Sequence, residues 1–536
     1  MQTENYRNRT ARITEFIVLL TLLLIPSVLF VTTQSFWGDE ASSAWFADHS
    51  LSLNPAEFHI LAAVPQMPLY HILLVPWAHL FGDSEQTLRA INLPFAALFL
   101  GSLLWISRRS GTHFWWLPVV PFAFFPLLTY YVNECRPYVA LLAVSAAAGA
   151  AFFSYLRSNS RTAAYLCCLF SLSAFSMHLL GILAPFMLVA YVLLRGDARA
   201  QLIRTWREWI VPLLISLPGY LELLIYYMRA KGEGIPMGSK VDNPDTPTNL
   251  AANWKNVLFF FYETLGFSGL GPPRNALRVH PGIHSFYGYF GLVLIGVVAV
   301  IALGILFWLA GKKPGKLEST RTMLAAIVAG LALLFIVARA IHFGFFGRHA
   351  MAIVGLICCF IVIAFAAEAV TVRVRWSVAV ILTLVWGISS ARLLLVYPYG
   401  KDDVRATLEA ARSTGLPILW NAGVTDSAYY GAYGVANKRS LDFQLPATYP
   451  TEHWKPVTDL HILYGLGQSD VNREIAPYRG GRFVFVAGKS DVFDPTGIWS
   501  ANRAAWNPAL IHQFNGFDVW IVSIPAGANL PQGAVQ

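Results

Sequence analysis

The sequence ITEFIVLLTLLLIPSVLFVTTQSFWGDE, residues 13–40, joins an apolar run to a pair of carboxylates. The apolar part, 13–33, is long enough to cross the hydrocarbon core of a bilayer as a retained helical anchor. Asp39 and Glu40 then fall at the membrane surface, in a stretch, 33–88, that contains no Lys or Arg. We therefore expect an acidic pair without a nearby cationic partner, a combination suited to a general base or a cation ligand.

The composition of the whole chain is that of a polytopic membrane protein. Of its 536 residues, 56% are apolar, and the mean hydropathy is +0.52. The net charge of +9 belongs to residues 1–399, because acidic and basic side chains nearly balance in 400–536. Since the positive charge is spread over short loops rather than gathered on one polar surface, we expect no nucleic acid partner.

Apolar runs of span length predict eleven membrane-spanning helices. They cover residues 13–33, 86–107, 113–131, 137–156, 161–177, 178–195, 208–228, 286–310, 320–341, 349–369 and 376–396. A twelfth run, Met67 to Phe81, is short and contains two prolines, so it could equally lie in the interface. If it does not cross, nearly all short basic loops fall on the side of the N-terminus. The positive-inside rule then places the N-terminus in the cytoplasm and the C-terminus outside.

The pattern of polar and apolar residues changes after residue 399. Residues 402–413 form an amphipathic helical pattern, and 417–420, 482–487 and 518–524 have the alternation of strands. We therefore predict a transmembrane domain, 1–399, with a first outer loop, 34–85, and a long outer loop, 229–285. A small extracytoplasmic α/β domain, 400–536, follows it.

Several motifs in the first third of the chain resemble one family when taken in order. They are WGDE after the first span, an aromatic stretch, a PQMPLY segment (residues 65–70), FGDSEQTLR before the next span, and ECRPY before the fourth. This order is similar to that of the GT-C class of membrane glycosyltransferases, which includes protein O-mannosyltransferases and lipid A aminoarabinose transferases. The resemblance implies a GT-C type α-helical bundle in a bacterial inner membrane, with an outer soluble domain.

The resemblance also implies a reaction. Its members use a polyprenyl-phosphate sugar donor, and an acid of the first outer loop takes the acceptor proton. We therefore expect Asp39, with Glu40 beside it, to carry catalysis in an inverting glycosyltransferase. The acceptor stays open among glycans, lipids and proteins, and membrane lipids surround the bundle. A divalent cation held by Asp39 or Glu40 also stays open.

A leaving lipid phosphate needs cationic partners at the outer surface. The residues predicted to bind it are Arg348, Arg339, Arg136, His342 and His349. The residues predicted to bind other parts of the substrates are Gln66, Tyr70, Arg89 and Trp37. An alternative interpretation of Arg136 is a structural pair with Glu134. Relatives often carry a charged residue before the Leu-Tyr of the PQMPLY segment, and Gln66 cannot supply that charge.

Two other functions compete with the enzyme. A transporter or flippase for lipid-linked sugars predicts charged or broken segments near the membrane midplane, but the acids lie at outer ends of spans. A non-catalytic scaffold with a sensory outer domain leaves Asp39 and Glu40 without a role. The sequence favours the glycosyltransferase.

Overall fold

The structure is a computed structural model. It describes residues 2–47, 67–111, 113–232, 252–279, 282–312, 319–340, 344–396, 400–421, 460–463, 468–488, 499, 502–503 and 506–526. Gln66 and His342, two of the predicted site residues, lie outside this part of the chain.

Helices make up most of the described chain. The α-helices in chain order are α1 Gln2–Phe30, α2 Gly38–Ala47, α3 Leu69–Phe81, α4 Glu85–Ala90, α5 Asn92–Arg109, α6 Pro126–Val132, α7 Tyr138–Ser158, α8 Arg161–Met177, α9 Leu183–Leu194, α10 Gly196–Arg204, α11 Arg207–Gly232, α12 Trp254–Thr264, α13 Arg274–Val279, α14 Phe290–Ala310, α15 Thr320–Ala340, α16 Met351–Ala366, α17 Val372–Leu395, α18 Val404–Ser413 and α19 Gln468–Ile475. Short 3₁₀ segments cover Leu117–Phe124, Leu179–Ile182, Phe267–Gly269, Ile283–Tyr289, Gly347–Ala350 and Ala476–Tyr478.

The protein is an integral membrane protein. Eight helical segments in the described part are long and apolar enough to cross a bilayer, or nine if the bent pair Leu179–Leu194 and Gly196–Arg204 is one span. The predicted total of eleven is not reached by this criterion. One reason lies in 113–131, where a 3₁₀ segment and the short α6 replace a continuous helix. Prolines in this stretch lack the backbone N–H donors that an uninterrupted α-helix needs.

The helix α7 occupies the centre of the bundle. Its sequence, VALLAVSAAAGAA after Tyr138, consists mainly of small residues, and all its residues from 138 to 156 are buried. Small side chains let neighbouring backbones approach closely. A Cβ placed on Gly355 of α16 would lie 2.6 Å from the carbonyl oxygen of Leu142, so these two helices touch through their backbones. The end of α7 that begins at Tyr138 carries the polar loop 133–137, which forms one wall of the site.

The described residues of the C-terminal region fold around a five-stranded sheet. Its strands are β1 Ile418–Asn421, β2 Leu460–Ile462, β3 Arg482–Gly488, β4 Ala509–Gln513 and β5 Phe517–Ser523, in the order β2-β1-β3-β5-β4. Pairs β1–β2 and β1–β3 are parallel, whereas β3–β5 and β4–β5 are antiparallel. The three strands predicted from the sequence are β1, β3 and β5, and the predicted amphipathic helix is α18. Strands β2 and β4 were not predicted.

Candidate active site

Glu40 lies in the first turn of α2 and is completely buried. Arg89 of α4 grips its carboxylate with two parallel hydrogen bonds, Nε to Oε1 at 2.9 Å and Nη2 to Oε2 at 3.0 Å. The backbone N–H of Cys135 donates to Oε1 at 2.9 Å. A bidentate arginine on a carboxylate is a strong, directional contact. Glu40 therefore joins α2 to α4 and to the loop before α7.

Lys401 completes the surroundings of Glu40. It follows the last span, its side chain is 4% exposed, and its Nζ lies 2.8 Å from Oε2 of Glu40. The same ammonium donates to the carbonyl of Asn133. Burial by itself would raise the pKa of Glu40, but Arg89 and Lys401 outweigh burial and hold that pKa below its ordinary value. Burial also lowers the pKa of Lys401, to about 8, although Glu40 opposes this effect.

Arg89 is fully occupied by the protein. Its Nη1 donates to the carbonyls of Thr32 and Gln34, and its Nη2 donates to the carbonyl of Ser35. These contacts fix the chain where it leaves the first span. Arg89, which we predicted to bind substrate, is 0% exposed and turned away from solvent. The expectation that the acidic pair lacks cationic partners is wrong, because those partners come from distant parts of the chain.

Asp39 has a different environment from Glu40. Its side chain is 35% exposed, and Oδ2 lies 3.4 Å from Nη2 of Arg136 and 4.0 Å from Nη1 of Arg348. Arg136 also donates from Nη1 to the Asp39 carbonyl at 3.1 Å. Because the N-terminus of a helix favours negative charge, the first turn of α2 suits an ionised carboxylate. Asp39 is therefore an accessible carboxylate between two guanidinium groups.

Arg348 is held mainly by aromatic rings. Its guanidinium carbon lies 5.5 Å from the ring centre of Trp37 and 5.8 Å from those of Tyr138 and Phe346. Its Nε has no hydrogen-bond partner among the described residues, and its side chain is 17% exposed. Ring faces attract a cation without using its N–H donors. The rings around Arg348 therefore hold its guanidinium without occupying its N–H donors.

The turn before Arg348 rests on α12. The carboxylate of Glu263, in that helix, accepts a hydrogen bond from the Gly347 N–H at 2.5 Å. Asn256 donates to the carbonyl of Phe345 at 2.9 Å. Nδ1 of His349 accepts from the Phe346 N–H at 2.9 Å, so this predicted phosphate ligand holds the local backbone. The turn that presents Arg348 is therefore fixed from two sides.

Two further charged groups line this region. Arg274 of α13 lies 3.8 Å from Glu263 and donates to the Tyr131 hydroxyl at 3.3 Å. Glu134 is 1% exposed, and neither of its carboxylate oxygens has a hydrogen-bond partner among the described residues. Burial raises the pKa of Glu134. Arg136 contacts Asp39 rather than forming the structural pair with Glu134 that we considered.

The remaining predicted residues occupy different places. Tyr70 is fully buried, with its hydroxyl 4.0 Å from the sulfur of Cys135, so it packs behind the loop 133–137. Arg339 is exposed and donates to the carbonyl of Ala252 at 3.5 Å. Within the described part, no ion pair joins Arg339 to Asp39 or Glu40. The structure thus brings Asp39, Arg136, Arg348 and Trp37 together and leaves Arg339 apart from them.

Few of the described side chains around Asp39 could ligate a metal ion. The described residues contain no group of three or more His, Cys, Asp and Glu side chains that could hold one. Both oxygens of Glu40 already accept hydrogen bonds, so Asp39 is the member of the acidic pair with room for another contact.

Sequence reasoning missed three residues of this centre: Lys401, Glu263 and Arg274. Lys401 opens the polar stretch Lys401-Asp402-Asp403, which follows the last apolar run of the sequence. Glu263 is the single acid in the aromatic helix α12, WKNVLFFFYET. An isolated acidic residue in an aromatic helix is a sequence signal that could have identified Glu263. Arg274 had no comparable signal.

The helical bundle, with an acidic pair at the end of its first span and arginines around that pair, is that of a polytopic membrane protein. No protein-family model and no curated protein matches the sequence. Solved structures do. Apo ArnT from Cupriavidus metallidurans matches with a TM-score of 0.54 and 11% identity, over 95% of this chain and 98% of that chain. This likeness confirms the predicted fold over nearly the full length.

Two further solved structures match less closely. ArnT from the same organism bound to undecaprenyl phosphate has a TM-score of 0.49 and 12% identity, over 94% of this chain and 97% of that chain. The apo oligosaccharyltransferase of Archaeoglobus fulgidus has a TM-score of 0.46 and 10% identity, over 96% of this chain and 75% of that chain.

Proposed function

We propose that the protein is an inverting glycosyltransferase that moves a sugar from a polyprenyl-phosphate donor to an acceptor hydroxyl at the outer face of the membrane. One observation carries the proposal. Asp39 is a partly exposed carboxylate whose Oδ2 lies 3.4 Å from Nη2 of Arg136 and 4.0 Å from Nη1 of Arg348. A base and two groups able to bind an anion therefore lie side by side, as transfer from a phosphate ester requires.

The reaction follows from these groups. The acceptor oxygen attacks C1 of the sugar and forms a new C–O bond, while its proton passes to Asp39. The bond from C1 to the phosphate oxygen breaks on the opposite side, and the electron pair leaves with the lipid phosphate. Arg348 and Arg136 then face the phosphate that gains charge. A single displacement of this kind inverts the anomeric carbon, through an oxocarbenium-like transition state.

The phosphate also affects Asp39. Bound to Arg348, it competes with Asp39 for the same guanidinium. This competition leaves the carboxylate free to contact the acceptor hydroxyl when the donor is in place. We assign Glu40 a supporting part: held by Arg89, Lys401 and the Cys135 N–H, it sets the position of the helix turn that carries Asp39.

The proposal of a lipid-linked donor is based on the position of the site at the end of a membrane span. The open carboxylate stands where a span ends, so a donor with a lipid tail could enter from the bilayer with its phosphate at the surface. ArnT, whose apo form shares this fold, has been solved with undecaprenyl phosphate, a carrier of the kind we propose. We also propose that residues 400–536 are extracytoplasmic and that the N-terminus is cytoplasmic, in a bacterial inner membrane.

The decisive experiment uses the purified full-length protein with polyprenyl-phosphate sugars and candidate acceptors. We expect the wild type to release lipid phosphate together with a glycosylated acceptor, and Asp39→Asn to lose transfer. Equal transfer by the variant would eliminate Asp39 as the base. Movement of the intact lipid-linked sugar across vesicles without transfer would instead support the flippase alternative.

A further inference from the structure

Lys401 connects the outer domain to the acidic pair. The chain leaves the membrane at the end of α17 and begins the outer domain with α18. Between these helices, Lys401 points back into the protein, where its buried ammonium contacts Glu40 at 2.8 Å and the carbonyl of Asn133. A long cationic side chain usually keeps its charge in water. The burial of this one indicates a specific requirement for its charge.

Among the described residues, Lys401 is one of two cations that contact the buried carboxylate of Glu40, the other being Arg89. Without the Lys401 ammonium, Oε2 of Glu40 would lose a charged hydrogen bond and the carbonyl of Asn133 would lose a donor, which is unfavourable for buried groups. Glu40 would then have to move, bind a proton or admit water.

A displacement of Glu40 also displaces Asp39, because the two residues are joined by one peptide bond. Asp39 and Glu40 are consecutive in the first turn of α2, and the Glu40 N–H donates to the carbonyl of Trp37 at 2.8 Å. Trp37 in turn lies against the guanidinium of Arg348. A shift of Glu40 therefore changes the placement of Asp39 and of Arg348 together.

We propose that Lys401 is a positioning residue for sugar transfer, which acts through Glu40 to hold Asp39 against Arg136 and Arg348 and so makes the outer domain a part of the active site. The proposal rests on the proposed function. It assigns the outer domain a role beyond any recognition of the acceptor.

Other contacts dock the same domain without touching Glu40. The hydroxyl of Ser35 donates to Asp403 at 3.1 Å, and Arg405 pairs with Glu85 at 3.0 Å. Arg405 also donates to the carbonyl of Thr33 at 2.6 Å, and its side chain is 42% exposed. These contacts provide a matched control, because they test docking of the domain separately from the charge beside Glu40.

The experiment compares Lys401→Met, Lys401→Arg and Arg405→Ala in the full-length protein, with a polyprenyl-phosphate sugar as the probe. We expect Lys401→Met to lower kcat by about 100-fold, the scale of a misplaced catalytic group, with little change in the KM of the donor. Lys401→Arg keeps the charge and should recover a large part of kcat. Arg405→Ala should stay close to the wild type because exposed ion pairs contribute little. Wild-type kcat in Lys401→Met, or an equal loss in Arg405→Ala, would overturn the proposal.

Two further measurements separate a loss of folding from a loss of function. Thermal melting reports whether Lys401→Met folds, and if it does not, Lys401→Gln decides by the same criterion, since its amide can still donate to Asn133. Asp39→Asn is measured in parallel. Full activity of Asp39→Asn would remove the proposed function and this inference together, whereas an inactive Asp39→Asn beside a fully active Lys401→Met would remove the inference alone.

Discussion

Oδ2 of Asp39 lies 4.0 Å from Nη1 of Arg348, although the two residues are far apart in the sequence. The carboxylate belongs to the first helix turn after the first predicted span, and the arginine belongs to a 3₁₀ turn that opens α16. Their approach puts a partly exposed carboxylate beside a guanidinium group.

Replacement of Asp39 by Asn should reduce sugar transfer by about 10²- to 10⁴-fold, because an amide cannot take the acceptor proton. Release of lipid phosphate from a defined donor measures the effect. Asp83→Asn is the matched control, since Asp83 is an exposed acid of the same outer loop. A similar loss in both variants would show that loop charge, rather than the base, matters.

Replacement of Arg348 by Ala should weaken use of the donor by about 10- to 100-fold, the usual cost of a lost hydrogen bond to a charged group. The KM of the donor should rise more than that of the acceptor. Lys255→Ala removes an exposed cation from the helix α12 and serves as the control. An unchanged KM in Arg348→Ala would remove this arginine from the phosphate site.

Gly347 provides a steric test of the same site. A Cβ at this position would lie 2.3 Å from Oε2 of Glu263 and 3.0 Å from its Cβ. Gly347→Ala should therefore displace the turn and raise the donor KM by about tenfold, on the scale of a lost charged hydrogen bond. Glu263→Ala removes the acceptor of the Gly347 N–H and should act in the same direction. On an Arg348→Ala background, neither change should add much, and full additivity would show that they act elsewhere.

The pH dependence of transfer should reflect Lys401. The pKa of this group is lowered to about 8, so its charge is lost as the pH rises through about 8. We expect kcat to fall there in the wild type and the fall to move to higher pH in Lys401→Arg, which stays charged. Because the folded pKa lies below the unfolded one, deprotonation of Lys401 makes the folded state more stable with rising pH. Melting measurements over this range should therefore show no loss caused by this group, and identical pH profiles in both proteins would contradict the prediction.

The orientation in the membrane is testable with single cysteines. The five native cysteines are buried, so they should react slowly with a membrane-impermeant maleimide. Cysteines at Ser110 and Ser160 should label only after the membrane is opened, and one at Ser413 in the outer domain should label in intact cells. Labelling of Ser110→Cys or Ser160→Cys from outside would reverse the orientation.

The sequence predicted the fold class and the place of the acidic pair because both depend on local patterns. Apolar runs identify spans by length, and the order of motifs around Asp39 carries the resemblance to GT-C enzymes. The structure also brings Arg136 and Arg348, both named from the sequence, beside Asp39. Their roles in binding phosphate stay predictions.

The details of the site depend on contacts that no local pattern encodes. Arg89 and Lys401 meet Glu40 from positions far along the chain, so burial of that carboxylate could not be read from its neighbours in the sequence. Arg339 and Arg348 looked equivalent in the sequence because both lie near one predicted hairpin. Only the structure shows that Arg348 approaches Asp39, whereas Arg339 donates to the carbonyl of Ala252.

The burial of Lys401 has a practical consequence for chimeric proteins. Exchange of outer domains between related chains is a natural way to ask which part selects the acceptor. A junction placed between the end of α17 and position 401 would import a foreign residue at position 401 and leave Glu40 facing an unmatched neighbour. Chimeras should therefore keep residues 400–405 from the same parent as the first outer loop. A chimera that is inactive because it lost the contact with Glu40 is then not mistaken for one with altered acceptor selectivity.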